Sequence, residues 1–207
     1  MADQLLYTSA PSGLKPGSSG YCTVEKTRDI NDTLESTLER LSSYDGLYRP
    51  TPDPQNPVGF NHLVVNAGRR SYNVLSRVSD YAADHTGRSN FLAHHLVLSG
   101  NEMTAAQDPA KILAARGVMK DVWAGQSKYV DPVPLPAGGS SLGVCNEWAA
   151  ACGGAPEAAG WAGVLAEWTL KSPRDPVYIL LPDPKSNNWP DDRTLKMICE
   201  ALSLLPP

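Results

Sequence analysis

No stretch of this 207-residue sequence is long and apolar enough to span a bilayer as a helix, so a helical integral-membrane protein is not expected. The opening Met1-Ala2-Asp3-Gln4-Leu5-Leu6 lacks both a basic segment and a long apolar core, and is not read as a secretory signal. Nowhere do Lys and Arg cluster; the densest basic group is Arg69-Arg70, and 18 Lys+Arg against 22 Asp+Glu leave a net charge of −4. A dedicated nucleic-acid binder carries a basic stripe, so nucleic acid is not an expected partner, and neither is a membrane. The P-loop pattern G-x-x-x-x-G-K-[ST] is absent, so the chain is not itself a P-loop GTPase. Cysteines are few and scattered (Cys22, Cys145, Cys152, Cys199), with no C-x-x-C pair and no zinc spacing. With no export signal, this pattern predicts free thiols in a reducing cytoplasm, and no metal or cofactor is expected.

What is present is ordinary globular material: 42% hydrophobic and 19% charged residues, in a chain long enough to bury a core as one large or two small domains. Eighteen prolines and seventeen glycines imply many loops and short elements. The stretch from Asp84 to Ser99 is the most informative. Read as a strand, Phe91, Ala93, His95 and Val97 share one face and Leu92, His94, Leu96 and Leu98 the other. Both faces are apolar, which suits a central strand covered on two sides. The two imidazoles need hydrogen-bond partners once buried.

Around that strand the chain predicts strand–strand–helix–strand–strand–strand up to about Gly100. Gln4–Ser9 and Tyr21–Lys26 form a hairpin with a long Gly/Pro/Ser connection. Asp29 or Asn31 caps a helix whose stripe is Ile30, Leu34, Leu38 and Leu41. Arg49–Pro57 holds four prolines and reads as an extended loop. Phe60–Asn66 and Ser71–Ser79, joined at Ala67–Arg70, complete an antiparallel meander with the central strand.

Beyond Gly100 the texture changes. A short helix over Pro109–Arg116 buries Ile112 and Leu113, and Val130–Gly139 reads as a linker. Ser140 or Ser141 caps a helix presenting Leu142, Cys145, Ala149 and Cys152. A second helix starts at Pro156, with Trp161, Val164, Leu165 and Trp168 as an inward stripe, and ends at Ser172-Pro173. Val177–Leu181 is expected as a buried strand, and Pro190–Leu204 as a last helix with Leu195, Ile198 and Leu202 inward. The fold class is therefore α+β: a mainly antiparallel sheet domain over residues 1–135, then a mostly helical segment over 136–207.

Chemistry-bearing residues are few. His94 and His95 point to opposite faces, so they cannot share one site through adjacent side chains. Either one, with His62 on the neighbouring strand, is a candidate for acid–base work or a metal site, although nothing in the spacing resembles a zinc motif. His94 is expected to be the accessible member, because bulky Leu92 and Leu96 flank it. Asp84, Thr86, Arg88 and Asn90 sit on a tight loop that suits a ligand or partner contact, or else an Asp-capped turn closed by a local salt bridge. Gly138–Gly143 leads into a helix N-terminus but lacks the lysine of a phosphate loop.

Two strings resemble a known family. Gln4-Leu5-Leu6-Tyr7-Thr8-Ser9-Ala10-Pro11-Ser12-Gly13-Leu14-Lys15-Pro16-Gly17, followed by Gly20-Tyr21-Cys22-Thr23-Val24, is one. Thr86-Gly87-Arg88-Ser89-Asn90-Phe91-Leu92-Ala93-His94-His95-Leu96-Val97 is the other. Both are similar to the N-terminal domain of the bacterial GTPase-associated protein 1 family, over roughly residues 4–135. The resemblance implies an adaptor or regulatory component of a GTPase-linked conflict (defence) system, acting through protein contacts with a separately encoded GTPase. The competing expectation is a hydrolase or transferase with a histidine-based site on the sheet.

The thiol expectation is directly testable. Alkylation of the unfolded protein without reductant, followed by mass measurement, should modify all four cysteines. Cysteines that become alkylatable only after reduction would contradict it.

Overall fold

A strand that is apolar on both faces has to sit inside a sheet, and the chain builds the sheet around it. In the computed structural model, which describes residues 1–44, 53, 56–98, 109–136, 147–152, 156–179 and 193–205, six strands form one sheet. They are β1 (Asp3–Ala10), β2 (Gly20–Lys26), β3 (Gly59–Ala67), β4 (Arg70–Tyr81), β5 (Asn90–Leu98) and β6 (Lys128–Tyr129), in the order β3-β4-β5-β1-β2-β6. All neighbours are antiparallel except the short β2–β6 pair. β5 lies between β4 and β1, and Leu92 and Leu96 are fully buried, as its sequence requires.

Register decides which side chains share a face. Leu5, His95 and Ser76 stand opposite one another across β1, β5 and β4, as do Leu6, His94 and Arg77 on the other face. A bulge between Leu6 and Tyr7 lets β2 supply one extra residue there. The face carrying Leu5 is covered by α1 (Asp32–Leu41), whose Leu34 and Leu38 pack with Ile30, Val65, Val74 and Val97. Asn31 caps this helix, its side chain accepting from the Leu34 N–H at 3.0 Å. Buried Glu35 of α1 accepts from Lys26 of β2 (2.6 Å) and Lys15 of the β1–β2 loop (3.1 Å). Burial works to raise the Glu35 carboxyl, but the two lysines outweigh it and hold the pKa below the usual carboxylate value.

The opposite face is covered by α2 (Pro109–Ala114), with Ile112 and Leu113 packed on Leu75, Leu96 and Leu98. Leu195 of α6 (Arg193–Ser203) enters the same cluster, so the last helix reaches back to the sheet. Between them come α3 (Glu147–Ala151), α4 (Pro156–Ala159) and α5 (Trp161–Lys171). Among the described residues no helix is long and apolar enough to cross a membrane.

Several expectations for the second half need correction. Residues 130–136 do not run free as a linker at their start: Ala2 and Val133 exchange backbone hydrogen bonds of 2.8 Å, pinning this segment to the N-terminus. Trp161 and Trp168 are 59% and 50% exposed; α5 turns its small residues Ala162 and Ala166 to α6 instead, because these permit close approach to Met197 and Ala201. Leu202 is likewise exposed, while Met197 and Cys199 take inward places beside Leu195. Val177–Ile179 belongs to no strand and is largely exposed, so it is not a buried strand over its described residues. Together with α5 and α6 it lines an apolar groove of about 300 Å³. The Gly138–Gly143 stretch, the Ser140/Ser141 cap, Leu142 and Cys145 lie outside the described residues. So does Arg49–Pro57, apart from Asp53, Asn56 and Pro57.

Leu96→Ala should cost about 2–5 kcal/mol in urea denaturation, because a cavity opens at the sheet centre. Val64→Ala, on the exposed outer strand, should stay within about 0.5 kcal/mol of wild type.

Candidate functional site

The two strand histidines are both sealed. His94 and His95 each show 0% exposure, so the expectation that His94 opens to a pocket is wrong. The reason is that the chain after α2 folds over Leu92 and Leu96: the Lys120 N–H donates to His94 Nδ1 at 2.9 Å. With Nδ1 accepting, Nε2 carries the proton and donates to the Gln4 carboxamide oxygen at 3.2 Å. Gln4 in turn donates to the Asp131 carbonyl at 2.5 Å. Desolvation, reinforced by the nearby Lys120 and Arg77 cations and by His95, pushes the His94 pKa well below the ordinary histidine value.

His95 lies under α1. Ser42 Oγ donates to the Leu38 carbonyl (2.9 Å), so it must accept from His95 Nε2–H (2.8 Å). Nδ1 then accepts from the Ser76 hydroxyl at 2.7 Å. A serine beside an imidazole is the geometry of a nucleophile and its base. Here Ser42, Ser76 and His95 are all buried, and the relay ends on a helix carbonyl. Burial alone lowers the His95 pKa to about 4.

His62 is separate from both. It lies exposed on β3, with Nε2 3.4 Å from Asn73 Oδ1, and its cross-strand row runs to Leu75 and Leu96. The three candidate histidines therefore do not converge. Cys22 packs with Leu6, Ala10 and Leu92, and burial raises its thiol pKa, which keeps it protonated. Among the described residues no group of His, Cys, Asp and Glu is arranged to hold a metal.

The Asp84 loop is brought together, around one carboxylate. Asp84 Oδ1 accepts from the Thr86 N–H (2.8 Å), the Thr86 hydroxyl (2.6 Å) and the Arg88 N–H (3.0 Å). Its Oδ2 accepts from Ser9 Oγ at 3.0 Å and from Arg88 Nε and Nη2 at 3.2 and 3.1 Å. These donors, led by the Thr86 hydroxyl and the Arg88 N–H, hold the carboxyl far below its usual pKa. Asn90 is similarly committed: its Oδ1 takes the Ser9 N–H and the Phe91 N–H, while the Thr8 hydroxyl beside it donates to the Phe91 carbonyl at 2.7 Å. Asp84 and Asn90 are buried, and only Thr86 and Arg88 present surface.

Sequence reading overlooked an aromatic cluster on the α1 side of the sheet. Tyr21 stacks on Phe91 with centroids 4.6 Å apart and planes at 18°, and Tyr7 and Tyr44 flank the pair at 6.2 and 6.5 Å from Phe91. Tyr21 is 43% exposed. Alternation within each strand hinted at an aromatic face, but only the register of β2, β1 and β5 aligns the rings.

Residues 1–136 match the family described as GTPase-associated protein 1, N-terminal domain type 2. The chain belongs to that family. No curated protein and no solved structure matches it. The match covers the entire sheet and α2, so the buried histidines, the Asp84 hub and the aromatic cluster all belong to the GTPase-associated domain.

The sealed histidines carry a stability signature. An unfolded histidine takes up a proton near pH 6.5, whereas folded His95 does so only near 4. Between those values the unfolded state binds more protons, so stability falls as pH drops from about 6.5 to 4 and is fully retained above. The loss from His95 should approach about 3 kcal/mol. Urea titrations across this range should show a shallower pH dependence in His95→Gln, and both His94→Ala and His95→Ala should lose about 2–4 kcal/mol at pH 7.

Proposed function

We propose that this protein is an adaptor or regulatory component of a GTPase-linked bacterial conflict (defence) system, working in the cytoplasm through contacts with a separately encoded GTPase. Membership of the GTPase-associated family carries the reading. It is supported by how the domain spends its polar groups: His94, His95, Asp84 and Asn90 are buried and satisfied within the fold. The described surface also offers exposed aromatic and apolar side chains, with Tyr21 over Phe91 the densest example. Aromatic rings of that kind are the usual anchors of protein interfaces. The tyrosines give them polar edges, which suits a contact that is made and released. Thr86 and Arg88, exposed on the Asp84 loop, are proposed as the polar rim of this cluster; the Tyr21 hydroxyl donates to the Ser89 carbonyl of that loop at 3.1 Å.

The adaptor reading is preferred to a hydrolase or transferase because His94 and His95 are fully buried and His62, beside Asn73 on the outer strand, lies apart from them.

The GTPase encoded beside this chain, loaded with GDP or with a non-hydrolysable GTP analogue, should co-elute with it in size-exclusion chromatography. Tyr21→Ser should weaken the complex by about tenfold or more, the loss expected of an interface anchor, and leave the fold intact. Turnover of GTP by the isolated chain would overturn the proposal.

A further inference from the structure

The two edges of the sheet are managed very differently. At one, β6 is only two residues long and is followed by Pro132 and Pro134, which cannot extend a ladder. At the other, β3 runs for nine residues with no proline, no Lys and no charged residue. Its pairing with β4 continues without a bulge from Gly59↔Val78 to Ala67↔Arg70. Leu63 and Val64 at its middle are 42% and 66% exposed. An edge that is long, flat and apolar is a template for another strand unless something blunts it, and among the described residues none of the usual devices is present here.

The hairpin turn fixes which backbone groups face outward. Ala67 and Arg70 close a two-residue turn over Gly68 and Arg69, with Gly68 at φ +65°. The closing pair of such a turn exchanges both its hydrogen bonds, and pairs then alternate along the ladder. Ala67, Val65, Leu63 and Asn61 thus bond inward to β4. The N–H and C=O groups of Asn66, Val64, His62 and Phe60 point away from the sheet.

We infer that β3 pairs antiparallel with β3 of a second copy of this chain, about a two-fold axis at Leu63, joining two six-stranded sheets into one. The outward groups fit that axis: His62 faces Val64 of the second copy and Phe60 faces its Asn66, all in hydrogen-bonded positions. Leu63 meets its own counterpart on the α1 side. A second copy is favoured over a different protein by two features of charge. First, Phe60–Asn66 carries no acidic or basic group apart from His62, so doubling the strand brings no like-charge repulsion. Second, the two ends of the hairpin differ in net sign, with Arg69 and Arg70 at the turn and, near Gly59, Asp53 and Asp80 against Arg77, where Asp80 accepts the Asp53 N–H at 3.1 Å. Antiparallel pairing lays the basic end of each copy alongside the acidic end of the other. The inference is independent of the GTPase reading.

Sedimentation of the full chain from about 1 to about 300 µM should reveal a concentration-dependent dimer. Val64→Pro removes one outward N–H and no bond to β4, so it should keep the circular dichroism of the fold while weakening the dimer by about tenfold or more. Val64→Lys, which blunts the edge without touching the backbone, should do the same and serves if the proline variant unfolds. Hydrogen exchange at the His62 and Val64 amides should slow with rising concentration in the wild type alone. A chain that stays monomeric throughout, or a dimer that both folded variants leave unchanged, would overturn the inference. The latter outcome would direct attention to the exposed Trp161, Trp168 and Ile179 surface instead.

Discussion

Two imidazoles buried on opposite faces of one strand set the terms for everything packed against it. A neutral histidine has one donor and one acceptor, and each unpaired nitrogen in an apolar interior would cost on the order of 1–3 kcal/mol. Elements far apart in sequence supply the partners. His95 draws Ser76 from β4 and Ser42 from the end of α1, so the helix is fastened to the sheet at its C-terminal cap. His94 draws Gln4 from β1 and the Lys120 backbone, and Gln4 passes the linkage on to Asp131. Specific hydrogen bonds thereby lock both covering layers at one level of the sheet, where greasy contacts alone would allow them to slide.

The same economy runs through the charged groups. Glu35 binds two lysines from different elements, and Glu25 of β2 pairs with Lys120, the residue whose backbone caps His94. Asp84 saturates both oxygens with donors from its own loop and from Ser9. Such pairs contribute modestly to net stability because desolvation offsets their attraction, but removing one partner strands the other. Their effect is to specify one arrangement of loop, strand and helix.

The N-terminal half of this architecture was legible because it obeys short-range rules. Apolar alternation in Leu5–Ala10, Val74–Val78 and Leu92–Leu98, the Asn31 cap and the Gly68 turn each predict their element locally, and the antiparallel meander follows from short connections. The Asp84 loop was also readable as a capped turn with a local ion pair, which is what forms. Accessibility was not legible. Whether His94 faces a pocket depends on Lys120, 26 residues away, and no pattern within the strand encodes that segment's return. The tryptophans of α5 mislead for a related reason. Periodicity finds a stripe, but α5 and α6 approach through Ala162, Ala166 and Ala201, so the small face, rather than the large one, is buried. The aromatic cluster needed three strands in register before it existed at all.

Burial of polarity and exposure of apolar surface are two sides of one design. His94, His95, Ser42, Ser76 and the Asp84 carboxylate are hydrogen-bonded in the interior, while tyrosine, leucine and valine reach the surface at the Tyr21–Phe91 stack and along β3. These two surfaces are also geometrically separate: the stack is built on β1, β2 and β5, and β3 forms the outer edge beyond β4. If both proposals hold, that separation would let the sheet hold a second copy along β3 and a different protein at the Tyr21–Phe91 stack without either displacing the other.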